Sequence, residues 1–139
     1  MEDLPTDPPK GITVRLISAG CLLALVGCST EAGEFGRCSN ITVTVSHEAT
    51  PEFAWAPADC AMHEFNVTED QQVQWLIASN DNDNRLSSPV RYGQDPLGTS
   101  GSQATPLHTG FFYTVDLWRF DEQGMLRRLV SQRFLHQVE

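Results

Sequence analysis

Cysteine and histidine are the residues in this chain whose chemistry depends most on spacing. There are four of each: Cys21, Cys28, Cys38 and Cys60, and His47, His63, His108 and His136. A thiolate can serve as nucleophile, metal ligand or acyl acceptor, and two thiols in an oxidising compartment form a disulfide. No two histidines stand at HxH or HExxH spacing, and no two cysteines stand at the CxxC spacing of a zinc site. Neither a metal site nor a cofactor is therefore expected. The stretch NDNDN (Asn80–Asn84) is rich in calcium-type oxygens. A calcium loop starting at Asp81, however, would put Arg85, Leu86 and Tyr92 where ligands or a tight turn are needed. It reads as a solvated turn, because Asn and Asp tolerate left-handed backbone. GTSGS (Gly98–Ser102) lacks the lysine of a phosphate-binding loop and the strand-to-helix setting of a nucleophile elbow. It reads as a mobile loop. Asn40-Ile41-Thr42 and Asn66-Val67-Thr68 match the glycosylation sequon, which carries meaning only in a eukaryotic secretory setting. No catalytic residue is expected.

The cysteines divide between two settings. Cys21 and Cys28 belong to an uncharged run, LISAGCLLALVG (Leu16–Gly27), which ends at Cys28 and gives way to polar STEAGEFG. This run is shorter than the about 20 residues needed to span a bilayer. Its length suits the apolar core of a signal peptide, with Arg15 as the preceding positive charge. The alternative is a buried helix or strand over Ile12–Val26. Leu25-Val26-Gly27-Cys28 resembles the lipobox of bacterial lipoproteins. That resemblance implies a diacylglyceryl group on the Cys28 thiol, cleavage just before it and loss of Cys21 with the leader. Ser29 in the next position implies the outer membrane. Glu2, Asp3 and Asp7 depart from the basic start of such leaders, and a start near Val14 would restore it.

The formal net charge is −9. Phosphate recognition needs clustered Lys and Arg, so no nucleic-acid partner is expected. Direct docking of the folded part on anionic lipid is disfavoured for the same reason. Membrane contact is expected through the lipid on Cys28 alone.

Beyond a polar tether, alternation of apolar and polar residues dominates, and a residue set in strict alternation lines one face of a strand. Ile41–Val45 places Ile41, Val43 and Val45 together. Glu52–Trp55 places Phe53 with Trp55, and Glu64–Val67 places Phe65 with Val67. Gln72–Ser79 groups Val73, Trp75 and Ile77. A short strand is expected at Pro89–Tyr92. Phe111–Phe120 groups Phe111, Tyr113, Val115 and Leu117, leaving Trp118 on the opposite, exposed side. Leu126–His136 has a mixed pattern compatible with strand or helix. Turn-rich stretches separate these segments, and seven short strands so spaced predict an antiparallel sandwich. The longest unpatterned stretch, Gln94–Thr105, is the candidate binding loop, with Gln94, Asp95, Ser100, Ser102 and Gln103 as its contact residues.

EFAWAP resembles the second strand of fibronectin type III domains, where a core Trp precedes a turn carrying Pro. EFNV and VQWLI resemble the next two strands. PLHTGFFYTVDLW resembles the stretch that opens their penultimate strand. This implies an immunoglobulin/fibronectin type III-like sandwich with a tyrosine corner at Leu107 and Tyr113, the hydroxyl bonding back to the preceding turn. Thr109 stands where that family commonly has Pro, and one extra residue precedes Tyr113. The resemblance implies a binding or spacer module and carries no active site.

In an antiparallel hairpin, facing residues have a constant index sum. Pairing Val43 with Trp55 and Val45 with Phe53 brings Cys38 opposite Cys60. A disulfide is expected there, with two free buried thiols as the alternative. The expected organisation is thus a signal peptide over 1–27, a lipidated cysteine and tether over 28–37, and an all-β antiparallel sandwich over 38–139. The expected role is non-enzymatic: protein binding or spacing at a bacterial cell envelope, with an envelope protein as partner. A small-ligand or glycan-binding lipoprotein is the second reading, and an enzyme of unknown class the third.

Overall fold

The computed structural model describes residues 34–139, with side chains from Gly36 onward. The expected signal peptide, Cys21 and Cys28 lie outside the described residues. A single helical turn, α1 (Glu34–Arg37), is followed by eight strands. These are β1 (Thr42–Val45), β2 (Glu52–Ala56), β3 (Glu64–Glu69), β4 (Gln72–Ser79), β5 (Val90–Arg91), β6 (Thr99–Gly101), β7 (Phe112–Phe120) and β8 (Leu126–Leu135). They form two antiparallel sheets in the orders β1-β2-β5 and β6-β4-β3-β7-β8. The fold is all β, and the two sheets pack as a sandwich.

The alternating residues supply the core. Val43, Phe53 and Trp55 come from one sheet, and Phe65, Val67, Trp75, Ile77, Tyr113, Val115 and Leu117 from the other; all are buried. Their rings meet edge to face: Phe53–Phe65 at 5.0 Å, Phe65–Trp75 at 5.4 Å and Trp75–Tyr92 at 5.2 Å between centroids. Such offsets set the positive ring edge against the negative ring face.

The β1–β2 register is the one the index sum requires, Val43 opposite Trp55 and Val45 opposite Phe53. Carried beyond the strands, it joins Cys38 and Cys60 in a disulfide with Cα atoms 5.7 Å apart. The loop it closes spans 22 positions. Removing both sulfurs (Cys38→Ser with Cys60→Ser) is expected to lower stability by about 3 kcal/mol, the chain entropy regained by an unfolded loop of that size. Urea unfolding of the double variant beside the oxidised wild type measures this. Coincident transitions would contradict it.

Several expectations need correction. β5 is only Val90–Arg91, because Ser88-Pro89 and the Tyr92–Gly93 turn bound it. Val73 is exposed rather than aligned with Trp75 and Ile77. The β3–β4 register slips, since Val67 faces Trp75 while Thr68 faces Val73, and the extra residue turns Val73 over. Phe111 precedes β7 and is half exposed. The ambiguous C-terminal segment is strand β8, and a second bulge beside Leu117/Trp118 breaks its alternation. GTSGS is not a mobile loop, because Thr99–Gly101 pairs with Ile77–Ser79 as edge strand β6. Gly101 is required there: a Cβ would sit 2.2 Å from the Leu76 carbonyl oxygen and 2.7 Å from Ile77 Cγ2. Shortening Gly98–Ser102 would therefore strip the edge of β4 rather than trim a loose connection.

Candidate functional site

Antiparallel strands sort the connections to two ends of the sandwich. One end carries the Cys38–Cys60 bridge, the Asn80–Asn84 turn and the β7–β8 turn. There Asp121 Oδ1 accepts from the Gln123 and Met125 N–H groups and Oδ2 from Arg127 Nε. The Met125 N–H above all, and then Arg127, hold the Asp121 carboxyl below the usual carboxylate range. The opposite end carries the β1–β2 turn, the stretches Tyr92–Gln94 and Ala104–Leu107 that flank β6, and the C-terminus, whose Glu139 N–H donates to the His47 carbonyl, while the turn that opens β6 lies with Asn80 at the first end.

At this second end an open groove of about 560 Å³ lies between three pieces of chain. Ala49 and Thr50 come from the β1–β2 turn, Tyr92, Gly93 and Gln94 follow β5, and Ala104, Pro106 and Leu107 lead toward β7. The size falls within the ~300–1,000 Å³ of small-ligand sites. Its lining is mostly apolar, with Thr50 and Gln94 as the polar side chains. The Tyr92 hydroxyl donates to the Thr105 carbonyl at 2.6 Å, and burial pushes its pKa up, so it stays a donor. Gly93 has φ 76°, and a Cβ there would meet Ala104 Cβ at 3.4 Å. Arg91 beneath the groove is held by Glu48 at 2.8 Å and Glu52 at 3.5 Å.

The five expected contact residues are split by the fold. Gln94 lines the groove. Asp95 is exposed beside Gly101. Ser100 lies in β6 opposite Ala78, and Ser102 Oγ accepts from the Leu76 N–H at 3.0 Å. Gln103 is exposed on the same edge. Ala49, Thr50, Tyr92 and Leu107 were missed, because nothing local in the sequence links the β1–β2 turn to residues 92–107.

No family model, curated protein or solved structure matches the chain. Its chemistry is read from its own side chains.

The histidines are dispersed. His47 faces Glu139 at 3.1 Å, the His63 Nδ1 lies 2.8 Å from the Asp83 carbonyl, and His108 packs on Phe111. Among the described residues no group of three His, Cys, Asp or Glu side chains is placed to hold a metal. The side chains of NDNDN turn back on their own surroundings. Asp81 and Asp83 pair with Arg85, while Asn84 donates to and accepts from the backbone of Phe120, extending β7 by a side chain. Asn66 is buried on β3, so its sequon is not presented. Trp118, expected on the exposed side, is half buried, with the Arg128 guanidinium 5.7 Å above its ring. No helix among the described residues is long and apolar enough to cross a membrane.

His136 is buried against Tyr113, with no hydrogen-bond partner for Nδ1. Burial lowers its pKa below the ordinary 6.5. The unfolded chain then binds the proton more readily than the folded one. Stability attributable to His136 is full above pH 6.5 and is lost as pH falls from there toward the folded-state value. In urea titrations across pH 7.5 to 5, the wild type should lose more stability than His136→Phe. Parallel pH profiles would contradict it.

Proposed function

We propose that this protein is a lipid-anchored, exported β-sandwich module that binds or spaces a protein at the bacterial cell envelope, without catalysis of its own. The observation that carries the reading is the division of the sandwich into two ends. The chain comes into the fold beside the Cys38–Cys60 bridge, and the open groove lies at the other end. Cys28 precedes Cys38 by ten positions, which is at most ~33–36 Å of extended chain. A lipid on Cys28 would hold the bridged end near a bilayer and leave the groove end free to meet a partner. The disulfide supports an oxidising compartment such as the periplasm or cell exterior. Support for a fibronectin type III-like module comes from the strand orders β1-β2-β5 and β6-β4-β3-β7-β8, and from the Tyr113 hydroxyl accepting the His108 N–H at 2.8 Å.

The groove also favours the second reading, a small-ligand lipoprotein, by its size and apolar lining. Ala49→Glu places a charge at its exposed rim without touching the core. Proximity labelling in cells, at matched expression, should show the neighbours of the wild type reduced in this variant. An unchanged neighbour list would leave the module as a spacer.

A further inference from the structure

Most strand edges in this fold are short or guarded. β5 has two residues and carries Arg91, paired with Glu48 and Glu52. β8 bears Arg127, Arg128 and Arg133, and its Gln132 reaches across to the Val43 carbonyl of β1. Charges on an edge discourage a second chain from pairing there. The β6 edge differs. From Thr99 to His108 no residue carries a formal charge and the first proline is Pro106, and the carboxylate beside the strand, Asp95 near Gly101, comes from the preceding segment, so it would repel its counterpart in a second copy until salt screens it. Asn80 N–H donates to the Gly98 carbonyl and Ser102 N–H to the Leu76 carbonyl. By the alternation of an antiparallel ladder, Gly101 then turns its N–H and C=O away from β4. Gln103, just past the strand, also makes no backbone bond of its own. At the start of this edge, Pro96 to Thr99 form a turn with Gly98 at φ 80°. Its tip is Leu97, which is fully exposed. At the other end of the same edge, Ala104, Pro106 and Leu107 line the apolar groove.

An unpaired edge with a bare leucine at one end and an apolar groove at the other is complementary to itself. We propose that β6 pairs antiparallel with β6 of a second copy of this chain about a two-fold axis at Ser102, and that Leu97 of each copy enters the groove of the other. In this register Gly101 of one copy faces Gln103 of its mate, so both unbonded residues find partners. The Pro96–Thr99 turn of each copy then lies at the end of the paired edge where the other copy's groove opens beside Leu107. The contact is isologous and closes as a dimer rather than growing into a fibre. A short edge plus one leucine makes a small interface, so the association belongs to the weak, reversible class. The net negative charge of each copy opposes it at long range, and salt screens that repulsion. Dimerisation therefore strengthens with ionic strength.

The inference rests on the groove end being a recognition end, and it names the partner found there. Residues facing each other at a two-fold axis in a non-hydrogen-bonded pair have Cα atoms about 4.5 Å apart, close enough for a disulfide. The test uses purified full-length chain under air oxidation, read on non-reducing gels. Ser102→Cys should give at least ten times more cross-linked dimer than wild type or Ser131→Cys, which places a thiol on the exposed β8 edge. Adding Gln103→Pro, which removes an outward N–H that β4 does not use, should return the yield to background, as should adding Leu97→Ser. Raising salt from 0.05 to 0.5 M should raise the yield. Equal yields from Ser102→Cys and Ser131→Cys would overturn the proposal, as would insensitivity to Gln103→Pro. Light scattering of the unmutated chain guards against a folding defect in the cysteine variant. A mass rising with concentration toward two chains supports pairing, and a mass fixed at one chain overturns it. Loss of the dimer with envelope neighbours still captured through the groove would remove this partner and leave the proposed function standing.

Discussion

Trp55→Ala is expected to lower the free energy of unfolding by about 3–5 kcal/mol, the range for large aromatic deletions from a packed core. Trp55 is 3% exposed and stands opposite Val43 in the smaller sheet. Its indole Nε1 donates to the Cys60 carbonyl at 2.8 Å, and its backbone N–H donates to Ser88 Oγ at 2.8 Å. Truncation removes the ring from between the sheets and also leaves the Cys60 carbonyl without its donor. An unsatisfied buried acceptor adds to the cost of the cavity. The same ring ties β2 to the disulfide, so the bridged end should loosen with it. Leu97→Ala is the comparison, because a fully exposed side chain contributes little to the folded monomer. Its effect should stay within about 0.5 kcal/mol. Guanidinium unfolding of the two variants beside the wild type measures both, at concentrations low enough to keep the chain monomeric. Similar shifts would contradict the assignment of the core.

The β1–β2 hairpin shows why part of this fold is legible in the sequence. Its alternation is unbroken from Ile41 to Val45 and from Phe53 to Trp55, so one register satisfies both faces. The disulfide follows from that register by counting. β7 is legible for the same reason over Tyr113, Val115 and Leu117. Legibility ends where a bulge intervenes. Val73 lies one residue beyond the β3–β4 slip, and period-two counting puts it on the wrong face. β8 mixes signals because its alternation breaks beside Leu117/Trp118 and its exposed edge carries arginines.

β6 was invisible for a different reason. Thr, Ser and Gly have no strong common strand preference, and their pairing is imposed by β4 across the edge. The glycine that looks like loop composition is there because the Leu76 carbonyl leaves no room for a Cβ. The β3–β4 turn is similar. Asp70 and Gln71 both have positive φ, at 45° and 69°, without the Asn-Gly pair that would announce such a turn. The groove could not be read at all, since Thr50 and Leu107 are remote in sequence and meet only through the packed sandwich. Gln94 alone among the expected contact residues reaches it.

The proposed function holds the bridged end at a membrane and displays the groove end. It turns on Cys28. Each buried CH₂ contributes ~0.8 kcal/mol of membrane affinity, so two or three acyl chains on one residue anchor a protein stably, while their loss removes the attachment altogether. The acidic folded part offers little of its own to an anionic surface. Cys28→Ala should therefore convert a membrane-bound protein into one that leaves the membrane, with the sandwich and its Cys38–Cys60 bridge unaltered.

The most direct measurement is membrane fractionation of cells expressing full-length wild type or Cys28→Ala, after metabolic labelling with a clickable fatty acid. Wild type should be labelled and in the membrane fraction, and Cys28→Ala unlabelled and largely released from it by a high-salt wash. Equal membrane partition of the two proteins, or equal label on both, would contradict it.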